Sequence, residues 1–264
     1  MDILICIDGS NSSVMAATLV SKLGFSPQTR IVILGVSESD GDRDKITTSI
    51  SQVEIELGQK YSLTSKLRHG FAIEEILEEA IEGKYDLVTV GGGGNQLELL
   101  HPFIGATARK LTRKLSTHFL VGRNIPQQIR KILFCIGSIT PNNDTLTVGG
   151  EWVANLNAQI GLLHVIAKSR DNKKPNGEVN RFANQIVERS IQQLISTGIK
   201  SEITSRIREG LVVEEVINEL ADGGYDLLVV GSHYKSGQDR WQGTLLDDIT
   251  EQLLNKTSCS MLII

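Results

Sequence analysis

The chain contains one block of sequence twice. Residues 70–94 read GFAIEEILEEAIEGKYDLVTVGGGG and residues 210–234 read GLVVEEVINELADGGYDLLVVGSHY, identical at 10 of 25 positions. Most of the other pairs exchange one apolar residue for another. The starts repeat too: DILICIDGS from residue 2 answers KILFCIGS from residue 131. A repeat this long is one folding unit copied, so both copies must bury their apolar faces in the same way. The starts lie 129 residues apart and the later blocks 140 apart, so the second copy holds about eleven extra residues. Residues 168–178 (KSRDNKKPNGE) carry the Pro, Gly and charge of a surface loop, and the insertion is expected there. With residues 123–128 (RNIPQQ) as a linker, the chain divides into a first domain over 1–124 and a second over 129–264.

Within each copy the apolar period alternates. Residues 3–7 form a short continuous apolar run, the mark of a strand buried on both faces. Ser10 or Ser12 then caps a helix through Val14, Ala17, Leu19, Val20 and Leu23, closed by Gly24. IVILGV from residue 31 is a second strand. Residues 46–61, with Ile50, Val53, Ile55 and Leu57, read as a helix, and SLTSKL from residue 62 as an edge strand. A helix over 72–82 puts Ile73, Ile76, Leu77, Ala80 and Ile81 on one side. YDLVTV from residue 85, a helix over 106–116 and a short strand over 118–121 complete the copy. Such alternation predicts an α/β fold, a parallel sheet covered on both faces with right-handed crossovers.

Composition narrows the function. A net charge of −4 with no Lys/Arg block argues against a general nucleic-acid binder, which needs a dense basic face. Three cysteines cannot frame a disulfide scaffold, and Cys6 and Cys135 sit inside apolar runs as small hydrophobes. No apolar stretch approaches the roughly 20 residues that cross a bilayer. Asp8 ends the first apolar run after five residues, so no leader is read there and a cytoplasmic location is expected. Scattered His and Cys show no metal-ligand spacing, so no structural metal is expected.

Ligands of open α/β sheets bind beyond the carboxyl ends of the strands. Two loops at such ends carry unusual residues: Asp8-Gly9-Ser10 after the first strand, and Gly91 to Gly94 after the fourth, with Gly105, Ala106 and Thr107 opening the next helix. Glycines expose backbone N–H groups, and a helix start adds unpaired N–H groups and a positive dipole end, which together suit a phosphate chain. A carboxylate at Asp8 could accept bonds from ribose hydroxyls or an adenine amine. The plainer readings stay open: Asp8 as a cap or turn residue, and the glycine run as a turn. The run is not a P-loop, because no Gly-Lys-Ser/Thr follows it.

The IDGS end of the first strand, YDLVTVG, the glycine-rich loop and the later helix-opening glycine resemble the universal stress protein (UspA-like) family, in tandem form over nearly the whole chain. The resemblance implies two open parallel five-stranded sheets of strand order 3-2-1-4-5, related by a pseudo-two-fold axis. It also implies pairing of the two domains through their last strands, here residues 119–121 and 261–263. The family's nucleotide motif is Gly, two residues, Gly, nine residues, Gly-Ser/Thr. Here it maps to Gly91, Gly94 and Gly105, with ten residues before the third glycine and Ala106 in place of the hydroxyl residue. Gly93 lies inside the loop, and Thr107 is the nearest hydroxyl. Asp8 matches the family's adenosine-contacting aspartate, and Cys6, Val36 and Val90 fall where the family lines base and ribose.

In the second half Gly137 replaces Asp8. Gly231, Ser232 and His233 match, Tyr234 replaces the second glycine, and Gly243-Thr244 restore the helix-opening pair. The resemblance therefore implies ATP, with or without Mg²⁺, bound in the first half, and a degenerate second site. The rival expectation is a scaffold that binds no nucleotide. Neither half offers a nucleophile beside a base, so an efficient enzyme is not expected, and any ATP hydrolysis would be slow. The expected partners are an adenine nucleotide, the other half of the same chain, a second copy in a homodimer and an unnamed protein; neither nucleic acid nor membrane is among them. Trp152 is read as core or interface, Trp241 and His101 as loop residues, and residues 38–45 as a solvated connection.

Overall fold

In the computed structural model the described residues are 1–93, 106–115, 117–137, 143–167, 177–231 and 248–264. The first half runs β1 (Asp2–Ile7), α1 (Asn11–Lys22), β2 (Arg30–Ser37), a 3-10 turn (Asp40–Asp42), α2 (Arg43–Leu57) and β3 (Ser62–His69). It continues with α3 (Ala72–Gly83), β4 (Leu87–Gly91), α4 (Ala106–Lys114) and β5 (His118–Gly122). The second half repeats the order as β6 (Lys131–Ile136), α5 (Asn143–Val153), β7 (Gln159–Ala167), α6 (Gly177–Ser196) and β8 (Ile203–Gly210). It closes with α7 (Val212–Gly223), β9 (Leu227–Val230), α8 (Asp248–Lys256) and β10 (Ser260–Ile263).

All ten strands join in one sheet of order β3-β2-β1-β4-β5-β10-β9-β6-β7-β8. Each half is parallel and has the strand order the resemblance implies. The halves meet where β5 and β10 pair antiparallel, Met261 opposite Val121, Leu262 opposite Leu120 and Ile263 opposite Phe119. The two C-terminal strands are thus each other's partner, and a pseudo-two-fold axis passes between Leu120 and Leu262. The inner strands are apolar on both faces because both faces are covered, whereas the edge strands β3 and β8 are largely exposed. Ile3, Ile5 and Ile7 belong to a cluster on one side that runs across both halves and includes residues of α1, α2, α5 and α6. Leu4 and Cys6 belong to a second cluster on the other side, which runs across both halves to include Ile76 of α3, Leu111 of α4, Val216 of α7 and Leu253 of α8.

Side chains also cross the seam. Trp152 of α5 meets Phe25 and His118 of the first half edge-on, at ring-centroid distances of 5.6 and 5.2 Å. It is an interface residue, as its sequence position allows. Arg113 of α4 pairs with Glu251 of α8.

A buried ionic cluster is part of the copied unit. Glu79 of α3, 1% exposed, accepts hydrogen bonds from Lys66 Nζ (2.7 Å) and Arg68 Nη2 (2.8 Å) of β3 and from Tyr85 Oη (2.5 Å). Glu219 of α7 repeats this with Arg206, Arg208 and Tyr225. Burial alone pushes Glu79 up. The hydrogen bonds from Lys66 and Tyr85 and the charges of Lys66 and Arg68 overcome this and hold it below the usual carboxylate range. Each cluster fixes the outer helix to the edge strand, where the sheet has no further strand to cover it.

Four sequence expectations need correcting. The insertion is not all loop: Gly177 and Glu178 open α6, which has 20 residues against 15 in α2, and residues 168–176 lie outside the described residues. Ile55 is 77% exposed, because two steps beyond Val53 turn it about 200° off the buried stripe of α2. Ile81 is 54% exposed, one step past the buried Glu79 and Ala80. Residues 38–45 are exposed but ordered: Glu38 Oε1 accepts from the Ala72 N–H, satisfying a free donor at the start of α3, and Arg43 already belongs to α2.

Candidate functional site

At the carboxyl end of β1 the chain leaves the sheet through Asp8 and enters α1. Asp8 is exposed, and its Oδ1 accepts from the Ser10 backbone N–H (2.9 Å) and from Ser10 Oγ (2.5 Å). Ser10 Oγ in turn accepts from the Ser13 N–H (3.2 Å), so Ser10, not Ser12, caps α1. The turn reading of Asp8 is therefore part of what the carboxylate does. It also fixes the group's orientation at the open end of the strand.

Beside it, β4 ends in the glycine corner. A Cβ on Gly91 would lie 2.7 Å from Ser13 N and 2.9 Å from Ser12 Oγ, so this glycine lets β4 pack against the first turn of α1. A Cβ on Gly92 would press into the Arg123 side chain, with Nε at 2.6 Å, and onto the Gly122 carbonyl at 2.9 Å. Gly93 has φ +72°, a conformation that an L side chain resists. The first three glycines of the run thus each have a local structural cause, in addition to any exposure of backbone N–H groups.

Cys6, Val36 and Val90, expected to line a base and ribose, share the α3/α4 face of the sheet at 7, 6 and 5% exposure. Cys6 of β1 pairs with Leu34 on β2, which sets Val36 one pleat further toward the open end. Burial, together with the charges of Asp8 and Glu79, pushes the Cys6 thiol well above its ordinary value, so it is no thiolate nucleophile. Ala106 opens α4, and Thr107 lies half-buried in its first turn. Gly94, Gly105 and His101 lie outside the described residues, so only part of the expected motif is placed.

The sequence reading missed Arg123, which it assigned to a linker. Arg123 is 8% exposed, and its Nη1 donates to the Thr257 carbonyl just past α8 (2.6 Å). Its backbone N–H donates to Ser260 Oγ (3.0 Å), and Ser260 Oγ donates back to the Arg123 carbonyl (2.7 Å). Asn124 Nδ2 adds a bond to the Ser258 carbonyl (2.9 Å). The available signal was a charged residue set directly against an apolar strand, FLVGR.

In the second half Gly137 follows β6, and a Cβ there would meet nothing within 4 Å among the described residues. Gly231 follows β9, and its carbonyl accepts from Thr250 Oγ1 (3.4 Å). His233, Gly243 and Thr244, with Tyr234 and Trp241, lie outside the described residues. A groove of about 300 Å³ opens at the other end of β2, lined by Arg30, Lys66, Glu79, Glu82 and Tyr85 among others. Its charges are already paired, Arg30 with Asp2, Lys66 with Glu79 and Glu82 with Arg68, and it lies away from both loops. Among the described residues no helix is long and apolar enough to cross a membrane, and no group of three or more His, Cys, Asp or Glu could hold a metal ion.

Solved structures share this architecture over the whole chain. A universal stress protein from Archaeoglobus fulgidus aligns at 13% identity and a TM-score of 0.68, covering 99% of this chain and 97% of its own. A Pseudomonas aeruginosa chain assigned to the universal stress proteins aligns at 16% identity and 0.69, covering 100% and 92%. A functionally unknown protein from the same species, PA1789, aligns at 15% and 0.66, also covering 100% and 92%. At these identities the likeness is one of fold. No curated protein matches the chain in sequence. The sequence model of the Universal stress protein family matches residues 128–264. With that match over more than half of the chain, and the fold carried through both copies, this chain belongs to the universal stress protein family.

Proposed function

We propose that the chain is an adenine-nucleotide-binding stress-response module whose first half holds ATP. One observation carries the reading: an exposed carboxylate, Asp8, and the glycine corner stand side by side at the carboxyl ends of β1 and β4, where open α/β sheets take their ligands. Cys6, Val36 and Val90 form an apolar floor on the same face, and their small exposure means that the base meets their edges. Asp8 would accept from the ribose, while Gly91, Gly93, Gly94 and the start of α4 at Gly105, Ala106 and Thr107 would take the phosphates. Mg²⁺ would arrive with the nucleotide. The second half, with Gly137 in place of the carboxylate, serves as a structural partner, and its Gly231, His233, Gly243 and Thr244 form at most a weak site.

The reading predicts a nucleotide-dependent change in a partner surface rather than efficient turnover, in a cytoplasmic protein that pairs its own halves and can pair further with a second copy. A scaffold without nucleotide is the second reading. It is favoured by the two bonds that Ser10 already makes to Asp8, by the packing cause of Gly91 and Gly92 and by the positive φ of Gly93. Thermal melting with and without millimolar ATP, repeated on Asp8→Ala, separates the two. A rise in melting temperature that Asp8→Ala abolishes supports the site. No rise, or one that Asp8→Ala leaves intact, supports the scaffold.

A further inference from the structure

We propose that Arg123 is the anion-selecting residue of the first-half site, reading the phosphates of a phosphorylated nucleoside. The proposal rests on the binding reading above and adds a cation beside its carboxylate and glycines.

Sheet register supplies the placement. Ile5 stands opposite Thr89, and Gly91 opposite Gly122. Carrying both registers forward sets Asp8, Gly92 and Arg123 in one row across the carboxyl ends of β1, β4 and β5. At about 4.8 Å between strands, the ends of that row are roughly 10 Å apart, a span that a ribose and its phosphates cover together. Arg123 follows Phe119 and Val121 on the α3/α4 face, the face that also carries Cys6, Val36 and Val90. Its Cγ and Nε lie directly against Gly92, so the guanidinium stem forms the wall of the glycine corner.

The charge state supplies the chemistry. Among the described residues no carboxylate pairs with Arg123, although the guanidinium is buried. A side-chain bond runs to the carbonyl of Thr257, where the end of α8 offers about half a negative charge. Among the described residues Nη2 is buried with no hydrogen-bond partner, and so is the Thr257 hydroxyl. Burial pulls the guanidinium down to about 10, the direction expected of a cation short of counter-charge. A buried, underpaired arginine is costly to maintain. An anion at the glycine corner would supply both the missing charge and the missing acceptor, in the geometry for which guanidinium suits phosphate. Since Nη2 is covered in this conformation, the phosphate must be met by a small rotation of the guanidinium about its anchor on Thr257.

The test compares affinities of adenosine, ATP and inorganic tripolyphosphate for the full chain and for Arg123→Met, by titration calorimetry at fixed low salt. The expected result is ATP weakened about tenfold or more, the size of one lost charge-assisted hydrogen bond, with adenosine unchanged and tripolyphosphate no longer competing. ATP and adenosine falling together, or neither changing, overturns the proposal and leaves Arg123 a strut between the halves. If Arg123→Met does not fold, Arg123→Lys takes its place. It keeps a charge and an apolar stem but loses the planar fork, and the same split between ATP and adenosine decides. A wild-type chain that binds tripolyphosphate but neither nucleoside ligand would refute the adenine-nucleotide reading while upholding Arg123, provided the variant loses the tripolyphosphate.

Discussion

Replacing Gly92 with alanine tests whether the glycine corner is built around Arg123. The new Cβ would lie 2.6 Å from Arg123 Nε and 2.9 Å from the Gly122 carbonyl, so the arginine must move. Overpacking of this kind costs about 1–3 kcal/mol. If the displaced guanidinium also loses its bond to the Thr257 carbonyl, about 1.5–3 kcal/mol more is at stake. Gly→Ala returns about 0.4–1 kcal/mol through the unfolded chain. With the bond lost, the net expectation is a loss of about 1.5–5.5 kcal/mol, read as a lower urea midpoint at unchanged slope. The decisive experiment is the double-mutant cycle. In an Arg123→Ala background Gly92→Ala should cost about 2 kcal/mol less, because only the contact with the Gly122 carbonyl remains, and that difference is the coupling. Gly91→Ala is the control: its Cβ would strike the backbone of α1, so its cost should be the same in both backgrounds. Additive costs for Gly92→Ala and Arg123→Ala would refute the argument that the run is glycine here because of Arg123.

Three further expectations concern the copied unit and its seam. Glu79→Ala removes the acceptor shared by Lys66, Arg68 and Tyr85 and should cost about 2–3 kcal/mol, at or below the range for breaking a buried pair, because Arg68 keeps Glu75, Glu78 and Glu82. Glu219→Ala should cost a similar amount in urea unfolding, and a threefold difference between the halves would contradict the equivalence of the two clusters. Because Glu79 is held below its unfolded value, its stabilisation is present above pH about 4.5 and is lost as pH falls through the folded value. Glu79→Gln should therefore be less stable at neutral pH and show a flatter acid limb, and an unchanged slope below pH 4.5 would count against it. Trp152→Ala removes both edge-on contacts across the seam and should cost about 2–4 kcal/mol, less than full burial would give because the indole is only partly buried. If the seam couples the halves, the variant unfolds in two steps by calorimetry; one sharp transition would show that β5–β10 pairing suffices.

The strands were readable because a strand buried on both faces is a continuous apolar run, as in residues 3–7 and 31–36, and the seam residues 119–121 and 261–263 pair as the family resemblance implied. The repeat made each half a check on the other. What stayed hidden depends on packing partners that no local pattern records. Ile55 looks like a core residue until the stripe of α2 is fixed by what it faces. Glu79 looks like one more solvated carboxylate in EEILEEAIE, because its three donors come from β3 and the turn before β4. Arg123 looked like the start of a linker because its partners, Thr257 and Ser260, lie more than 130 residues away. The glycine run suggested a phosphate cradle, and the structure adds a packing reason for Gly91 and Gly92 that sequence alone could not separate from a ligand's demand.

The most direct test of the account is the stoichiometry of ATP·Mg²⁺ binding to the purified, nucleotide-stripped chain by titration calorimetry, repeated on Asp8→Ala. The account predicts about one site per chain, lost in the variant. Two sites would contradict the division into a working first half and a silent second, and no heat at millimolar ATP would contradict nucleotide binding itself.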